Sequence, residues 1–215
     1  MACNETNAGG DCYDVTTPLV VNAAGHSAPS LYTSLGLVAP TYPAPPRHYF
    51  ARGNYFKLSS SGPPVVNGLV YPVPSPDLSG LGIHATVGVD GGVKFGPDVE
   101  WFSPSVSLPA GDFYVLEDAE VDSLKAKFSE AIERYLPNLS DFGDLQYDYS
   151  GVRPKLSHPD VGHGGFDGGA DFWIRQDSVG FINLFGIESP GVTSCLAISE
   201  EVKKIIDARH KPTGS

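Results

Sequence analysis

The chain has 215 residues, 41% of them hydrophobic, with 25 acidic against 14 basic side chains and a formal net charge of -11. This is enough for one substantial domain, or for two that share an interface. Scattered acids without any basic block exclude a nucleic-acid partner. Cys3, Cys12 and Cys195 are odd in number, far apart and without a CxxC, which excludes a disulfide framework or a thiolate zinc site and fits a reducing compartment.

No apolar run approaches the length of a membrane span, so no transmembrane segment is expected. Met1 to Asp14 is polar and acidic, unlike an Arg-rich leader, and residues 1–17 read as a disordered or truncated start. The 25 glycines and 19 prolines favour strands and turns. Two helical stretches accompany them, and an α+β fold follows.

In chain order, Pro18 to Ala24 (PLVVNAA) reads as a short buried strand, and the Pro-rich run 38–48 as an extended connection. Strands are expected over His48 to Leu58, Gly68 to Val73, Gly82 to Val89 and Val93 to Gly96, mostly antiparallel. Asp90-Gly91-Gly92 is a strong hairpin signal between the last two. Leu124, Phe128, Ile132 and Leu136 recur four apart from Val121 to Leu136, predicting an amphipathic helix stopped by Pro137. Tyr147 to Pro154 is extended. His158 to Gly169 is rich in Gly, His and Asp and reads as a solvated turn, because its His/Asp spacing matches no metal-ligand pair. Phe181 to Ile187 is a nearly all-apolar strand. A helix follows, with Ser189 as N-cap and Pro190 at its first position.

Three places carry chemistry. Pro154 holds Arg153 in extended backbone, and a guanidinium matches a carboxylate with two parallel N–H donors; a structural ion pair is the competing reading. His84 alternates with Thr86 and Gly88 on one face of GIHATVGV, opposite Ile83, Ala85, Val87 and Val89, and histidine is suited to take a hydroxyl proton near neutral pH. The turn from Ser189 to Thr193 presents backbone N–H groups at a helix start, which favours a phosphate or another developing negative charge.

Together, Leu19 to Pro29, Phe50 to Leu58, Gly68 to Pro74, Gly80 to Asp90, Phe95 to Trp101, Asp148 to Leu156 and Asn183 to Ile198 resemble, in order, the FAD-dependent L-2-hydroxyglutarate dehydrogenase family, within the group of D-amino-acid and glycine oxidases. The resemblance implies a substrate domain with helices and a mixed, largely antiparallel sheet, over about 47–172. It also implies C-terminal remnants of a Rossmann-type FAD-binding domain, over 18–46 and 173–215. It implies FAD as cofactor and a small 2-hydroxy acid as substrate. Arg153 would bind the carboxylate, His84 would be the base, and Tyr71 and Tyr149 would be pocket hydrogen-bonders. Arg52, Gly53, Ser189, Pro190, Gly191, Val192 and Thr193 would lie beside the flavin. A mitochondrial location is implied for a eukaryotic source, and a cytoplasmic one otherwise.

The sequence departs from the family in one respect. No Gly-x-Gly-x-x-Gly run is present to approach the FAD diphosphate, so a missing N-terminal FAD-binding half is an expected partner. Two alternatives stay open: a sibling amino-acid or amine oxidase, and a non-catalytic remnant that binds a partner or small acid.

Overall fold

The computed structural model describes residues 16–34, 44–59, 64–73, 82–106, 116–163, 171–177 and 180–209. The expected loose start, save Thr16 and Thr17, the Pro-rich run before Ala44 and the Gly-rich stretch from 164 to 170 lie outside these residues. In chain order the elements begin with β1 (Val20–Asn22), α1 (Ala28–Ser34), β2 (Tyr49–Ser59), β3 (His84–Val87), β4 (Val93–Gly96) and β5 (Glu100–Trp101). They continue with α2 (Asp118–Glu133), β6 (Asp144–Lys155), β7 (Ser157–His158), β8 (Gly162–His163), β9 (Trp173–Asp177), β10 (Phe181–Phe185) and α3 (Cys195–Arg209).

The chain divides into two compact units, one of Met1–His48 with Gly165–Ser215 and the other Tyr49–Gly164. The second unit is narrower than 47–172. His48 belongs with the first because its Nε2 accepts the Gly186 N–H at 3.1 Å.

In the Tyr49–Gly164 unit, β6 pairs with β2 along eleven antiparallel rungs, from Tyr49↔Lys155 to Ser59↔Asp144. That fills one edge of β2, so β4 and β5 divide the other, and β3 pairs outside β4. Helix α2 covers one face of this sheet. Phe128 and Ile132 pack on Phe56, Ala85, Phe95 and Leu145, with the Phe56 and Phe128 rings 4.6 Å apart. Burial of that kind stabilises by roughly 1.5–3 kcal/mol per large side chain.

The helix begins three residues before the expected Val121, because Glu120 reaches back to the Glu117 N–H at 2.9 Å and closes the N-terminus. It ends at Glu133, before Pro137 is reached. The Asp90 turn is present, with Gly88 N–H donating to Gly92 O at 2.8 Å. Gly68–Val73 forms only a single bridge, Val70↔Ala85, and not a strand. Val89, placed by alternation on the packed face, is fully exposed because the strand has already ended at Val87.

His158 is a further correction. It is buried, not solvated: Nδ1 accepts the Asp160 N–H at 3.1 Å, which leaves Nε2 to donate to Phe102 O at 3.1 Å. The rings of Tyr49 and Trp101 enclose it. Among the described residues no cluster of His, Cys, Asp or Glu is placed to hold a metal, and no helix is long and apolar enough to cross a membrane.

In the other unit, β10 is the middle strand of three, parallel to β1 and antiparallel to β9. Its five residues are all buried, which is why FINLF is apolar but for Asn183. β1 is an edge strand and not a fully buried one, and Val21 is exposed. A buried polar chain ties the three strands. Asn22 donates to Asn183 at 2.9 Å, Asn183 donates to Asp177 at 2.6 Å, and Asp177 pairs with Arg175 at 3.1 Å.

Burial lowers the pKa of His48 to about 4, outweighing a hydrogen bond to the His26 backbone. The unfolded chain takes up this proton below the ordinary value of 6.5, whereas the folded chain waits until about 4. The stability contributed by neutral His48 is therefore complete above pH 6.5 and is lost as pH falls toward 4, by roughly 3 kcal/mol. His48→Gln retains an acceptor for Gly186 but cannot titrate. Urea midpoints between pH 7 and 4.5 should fall less for this variant than for the parent, and equal slopes would rule out His48 as the source.

Candidate functional site

Side chains alternate across a strand, so the face of β2 opposite α2 carries Tyr49, Ala51, Gly53 and Tyr55. Their partners on β6 are Lys155, Arg153, Gly151 and Tyr149. The register then shifts between Tyr55 and Phe56, leaving Asp148 as an extra residue. This bulge separates two tyrosines that simple alternation would put on one face. Tyr147 turns to the core, its ring 5.7 Å from Phe56 at 81°, and Tyr149 stacks on Tyr55 at 4.6 Å and 13°. Asp148 accepts from Lys94 at 2.7 Å and lies 3.7 Å from Lys57.

Arg153 is half-buried on the face away from α2, where its positive charge is felt at the Tyr55 hydroxyl. Burial, and then Tyr149, push the Tyr55 hydroxyl above its usual pKa against the smaller pull of Arg153, so it stays protonated. Beside it, a Cβ on Gly151 would meet nothing within 4 Å. The floor between Arg153 and Tyr149 is therefore open. Gly53, across the rung, is tightly covered, since a Cβ there would lie 2.8 Å from Pro97.

His84 projects from the same face. Its neighbour Ala85 is buried in the core and Gly96 is its partner on β4. Gly96 has φ 135°, and a Cβ there would sit 2.9 Å from the Tyr55 ring, so only glycine lets Tyr55 lie against β4. Nδ1 of His84 lies 3.1 Å from Gly82 O, and a carbonyl can only accept. The neutral ring thus carries its proton on Nδ1 and a lone pair on Nε2. Tyr71 stacks on it at 4.3 Å and 19°. The Tyr135 hydroxyl donates to Ile83 O at 3.1 Å, fixing the strand next to His84, and burial pushes that hydroxyl up to about 12.

The structure thus brings Arg153, Tyr149, Tyr71 and His84 onto one sheet face, with Tyr55 among them. Tyr55 is the residue that sequence reasoning missed. Its only signal was a position two residues from Gly53 in FARGNYFKL.

Arg52 and Gly53, the other residues expected beside a flavin, have packing roles here. Arg52 is buried on the α2 side, where Nε and Nη2 donate to Glu100 at 3.0 and 2.9 Å and Glu120 lies 3.8 Å away. Gly53 provides the close approach of Pro97.

In the other unit, Ser189 and Pro190 do not cap or begin α3, which starts at Cys195. The segment first folds into turns, with Gly191 N–H donating to Glu188 O at 2.5 Å and Ser194 N–H to Pro190 O at 3.0 Å. The N–H groups of Val192 and Thr193 make no hydrogen bond among the described residues. Both side chains are exposed, and an open cleft of about 600 Å³ runs along Ile187 to Thr193 and Cys195.

A family model described as FAD dependent oxidoreductase (DAO) matches residues 2–205. The mitochondrial L-2-hydroxyglutarate dehydrogenase of Arabidopsis thaliana is 44% identical over 189 residues, covering 86% of this chain and 36% of that protein. The L-2-hydroxyglutarate dehydrogenase of Escherichia coli (strain K12) is 29% identical over 178 residues, covering 72% of this chain and 40% of that protein. Dithionite-reduced L-alpha-glycerophosphate oxidase from Mycoplasma pneumoniae, with FAD bound, has a similar fold, with a TM-score of 0.63 and 21% identity over 91% of this chain and 46% of that one. The chain spans less than half the length of each of these proteins.

The two facing glycines should respond oppositely to a methyl group. Gly53→Ala forces Pro97 aside and should cost about 1–3 kcal/mol in urea unfolding. Gly151→Ala meets open space and should be neutral or stabilising by up to about 1 kcal/mol. Equal losses would show that the floor beside Arg153 is packed.

Proposed function

The chain belongs to the FAD dependent oxidoreductase family, and on that footing we propose that Tyr49–Gly164 is the substrate-carrying part of an enzyme that oxidises a 2-hydroxy acid to its 2-oxo acid, L-2-hydroxyglutarate to 2-oxoglutarate foremost. One observation carries the reading: a carboxylate-matching arginine and a histidine with a free lone pair share one sheet face with an open floor. The names of the Arabidopsis and E. coli relatives supply the substrate. A mitochondrial location belongs to the same proposal, on the Arabidopsis name alone.

Arg153 binds the substrate carboxylate through paired N–H donors, which orients the C2 carbon as well as attracting the charge. Nε2 of His84 takes the C2 hydroxyl proton, and the Gly82 carbonyl keeps the imidazole in the tautomer able to do so. Tyr71 holds the ring plane by stacking, and Tyr149 lines the approach. FAD, when bound, supplies the acceptor for the hydride from C2.

The residues present fit part of that cofactor. The unpartnered N–H groups of Val192 and Thr193, in the turn before α3, are donors suited to negative charge on the ring system, with Ser189, Pro190 and Gly191 shaping the turn. Nothing in the 215 residues supplies a Gly-x-Gly-x-x-Gly cradle for the diphosphate. The Met1–His48 and Gly165–Ser215 unit is accordingly proposed to be part of a Rossmann-type FAD domain, completed by sequence beyond this chain. The solvent exposure of α3, which buries none of its residues, supports this.

The test is flavin bleaching by L-2-hydroxyglutarate. The purified chain should carry little flavin. Co-expressed with the N-terminal half of the Arabidopsis relative, it should bind FAD and bleach. Arg153→Ala should raise KM about 10- to 100-fold, and His84→Ala should slow bleaching about 100- to 10,000-fold. Bleaching by amino acids instead would move the assignment to an amine oxidase, and inactivity in every combination would leave a non-catalytic remnant.

A further inference from the structure

Within the substrate site of the proposed function, on which this inference rests, His84 holds its Nδ1 proton on the Gly82 carbonyl, 3.1 Å away and two residues earlier. Only Ile83 lies between the acceptor and the residue that carries the ring. Peptide planes are rigid, so the φ and ψ of Ile83 alone decide where the Gly82 oxygen stands relative to the His84 Cα. Whatever fixes Ile83 therefore governs the bond that keeps the proton on Nδ1.

Ile83 is held from two directions. Its side chain is buried in the core shared with α2. Its backbone is a harder matter, because β3 lies at the edge of its sheet, with β4 on one side only. On the outer side Val70 closes that edge at Ala85, exchanging hydrogen bonds of 3.1 and 2.9 Å. Two residues before, the Tyr135 hydroxyl takes over, donating to the Ile83 carbonyl at 3.1 Å. Without it a buried residue would be left with an unpaired carbonyl. Tyr135 is itself mounted on the end of α2, where its own N–H and that of Leu136 donate to the Ile132 carbonyl at 3.0 and 2.8 Å. Burial pushes its hydroxyl up to about 12, so the proton it donates is kept through the neutral and mildly alkaline range.

We propose that Tyr135 is a positioning residue for His84: its hydroxyl, by holding the Ile83 carbonyl, keeps the Gly82 carbonyl on Nδ1 and so leaves the lone pair on Nε2. It acts through the backbone, without reaching the substrate. Tyr135→Phe keeps the ring in the core and removes only the donor.

The measurement is the pair of ring ¹⁵N shifts of His84 in the labelled 215-residue chain. It is made at about pH 9, well above the ordinary imidazole pKa of about 6.5. A ring nitrogen with a proton and one with a lone pair resonate far apart, and the set that disappears in His84→Gln identifies this residue among the six histidines. The parent should carry its proton on Nδ1. In Tyr135→Phe the two shifts should move toward each other or exchange places, as the ring takes up the Nε2–H form. Leu145→Val trims the same core from β6 and leaves the hydroxyl in place. Both variants should lower the thermal midpoint by about 2–8 °C, but Leu145→Val should keep the parent's shifts. If Tyr135→Phe keeps them too, the role of Tyr135 falls and the reading of His84 as base stands. Equal shift changes in both variants would reduce the effect to a loosened core and also overturn the proposal. A parent with its proton on Nε2 takes the lone pair from the proposed base, and the reading of His84 falls together with Tyr135.

Discussion

The antiparallel pairing of β2 with β6, interrupted by a single extra residue at Asp148, decides what each face of the central sheet can be. Every side chain on these strands is committed to one face by its position in the register, and a slip of one residue would invert them all. The bulge makes that inversion once, locally, on β6 alone. On one side of it Leu145 and Tyr147 join Phe56 and Leu58 in the core under α2. On the other side Tyr149, Gly151 and Arg153 stand on the opposite face with Tyr55 and Gly53. Asp148, unpaired in the ladder, accepts Lys94 and thereby tethers β6 to β4 across β2. Core and site are thus two products of one register.

His84 depends on the same arrangement from the other edge. Ala85 and Phe95 are fully buried beneath α2, which anchors β3 and β4 and leaves His84 and Gly96 facing away from the helix. The Tyr135 hydroxyl, just past the end of α2, binds the Ile83 carbonyl on one side of His84, and the Gly82 carbonyl binds its ring. A helix that never touches the imidazole therefore sets its height and direction. Its tautomer is set by the turn that precedes the strand.

The features legible in the sequence were those carried by local periodicity. Alternation in GIHATVGV separated His84 from Ala85. Spacing of four marked Phe128 and Ile132, and the nearly all-apolar run FINLF marked a strand. What stayed hidden depends on partners distant in sequence. The bulge at Asp148 has no local signature, because an aspartate is unremarkable there until the length of β2 is laid against it. Tyr55 gains its place at the site only from Tyr149 and Gly96, on the strands either side of it. His158 looked solvated among Gly and Asp, but the carbonyl that buries it belongs to Phe102, 56 residues earlier. Ser189-Pro190 misled for another reason. The residues that start helices also make turns, and here two turns intervene before α3.

Arg52 and Arg153 show why residue type alone could not separate a clamp from an ion pair. They stand one rung apart on paired strands, Arg153 opposite Ala51 and Arg52 opposite Val152. Alternation therefore sends them to opposite faces. Arg52 meets Glu100, its direct cross-strand partner on β5, with Glu120 of α2 nearby, and both of its engaged nitrogens are satisfied in a part-buried pair. Removing Glu100 would leave the buried Arg52 guanidinium charged without its main partner, whereas Glu100 itself is 41% exposed. The group nearby that feels the charge of Arg153 is a protonated tyrosine, Tyr55, which does not neutralise it. Its charge remains available above the open rung at Gly151. The same side chain is structural on one face and receptive on the other, and the difference lies in whether a carboxylate or a phenol was set within its reach.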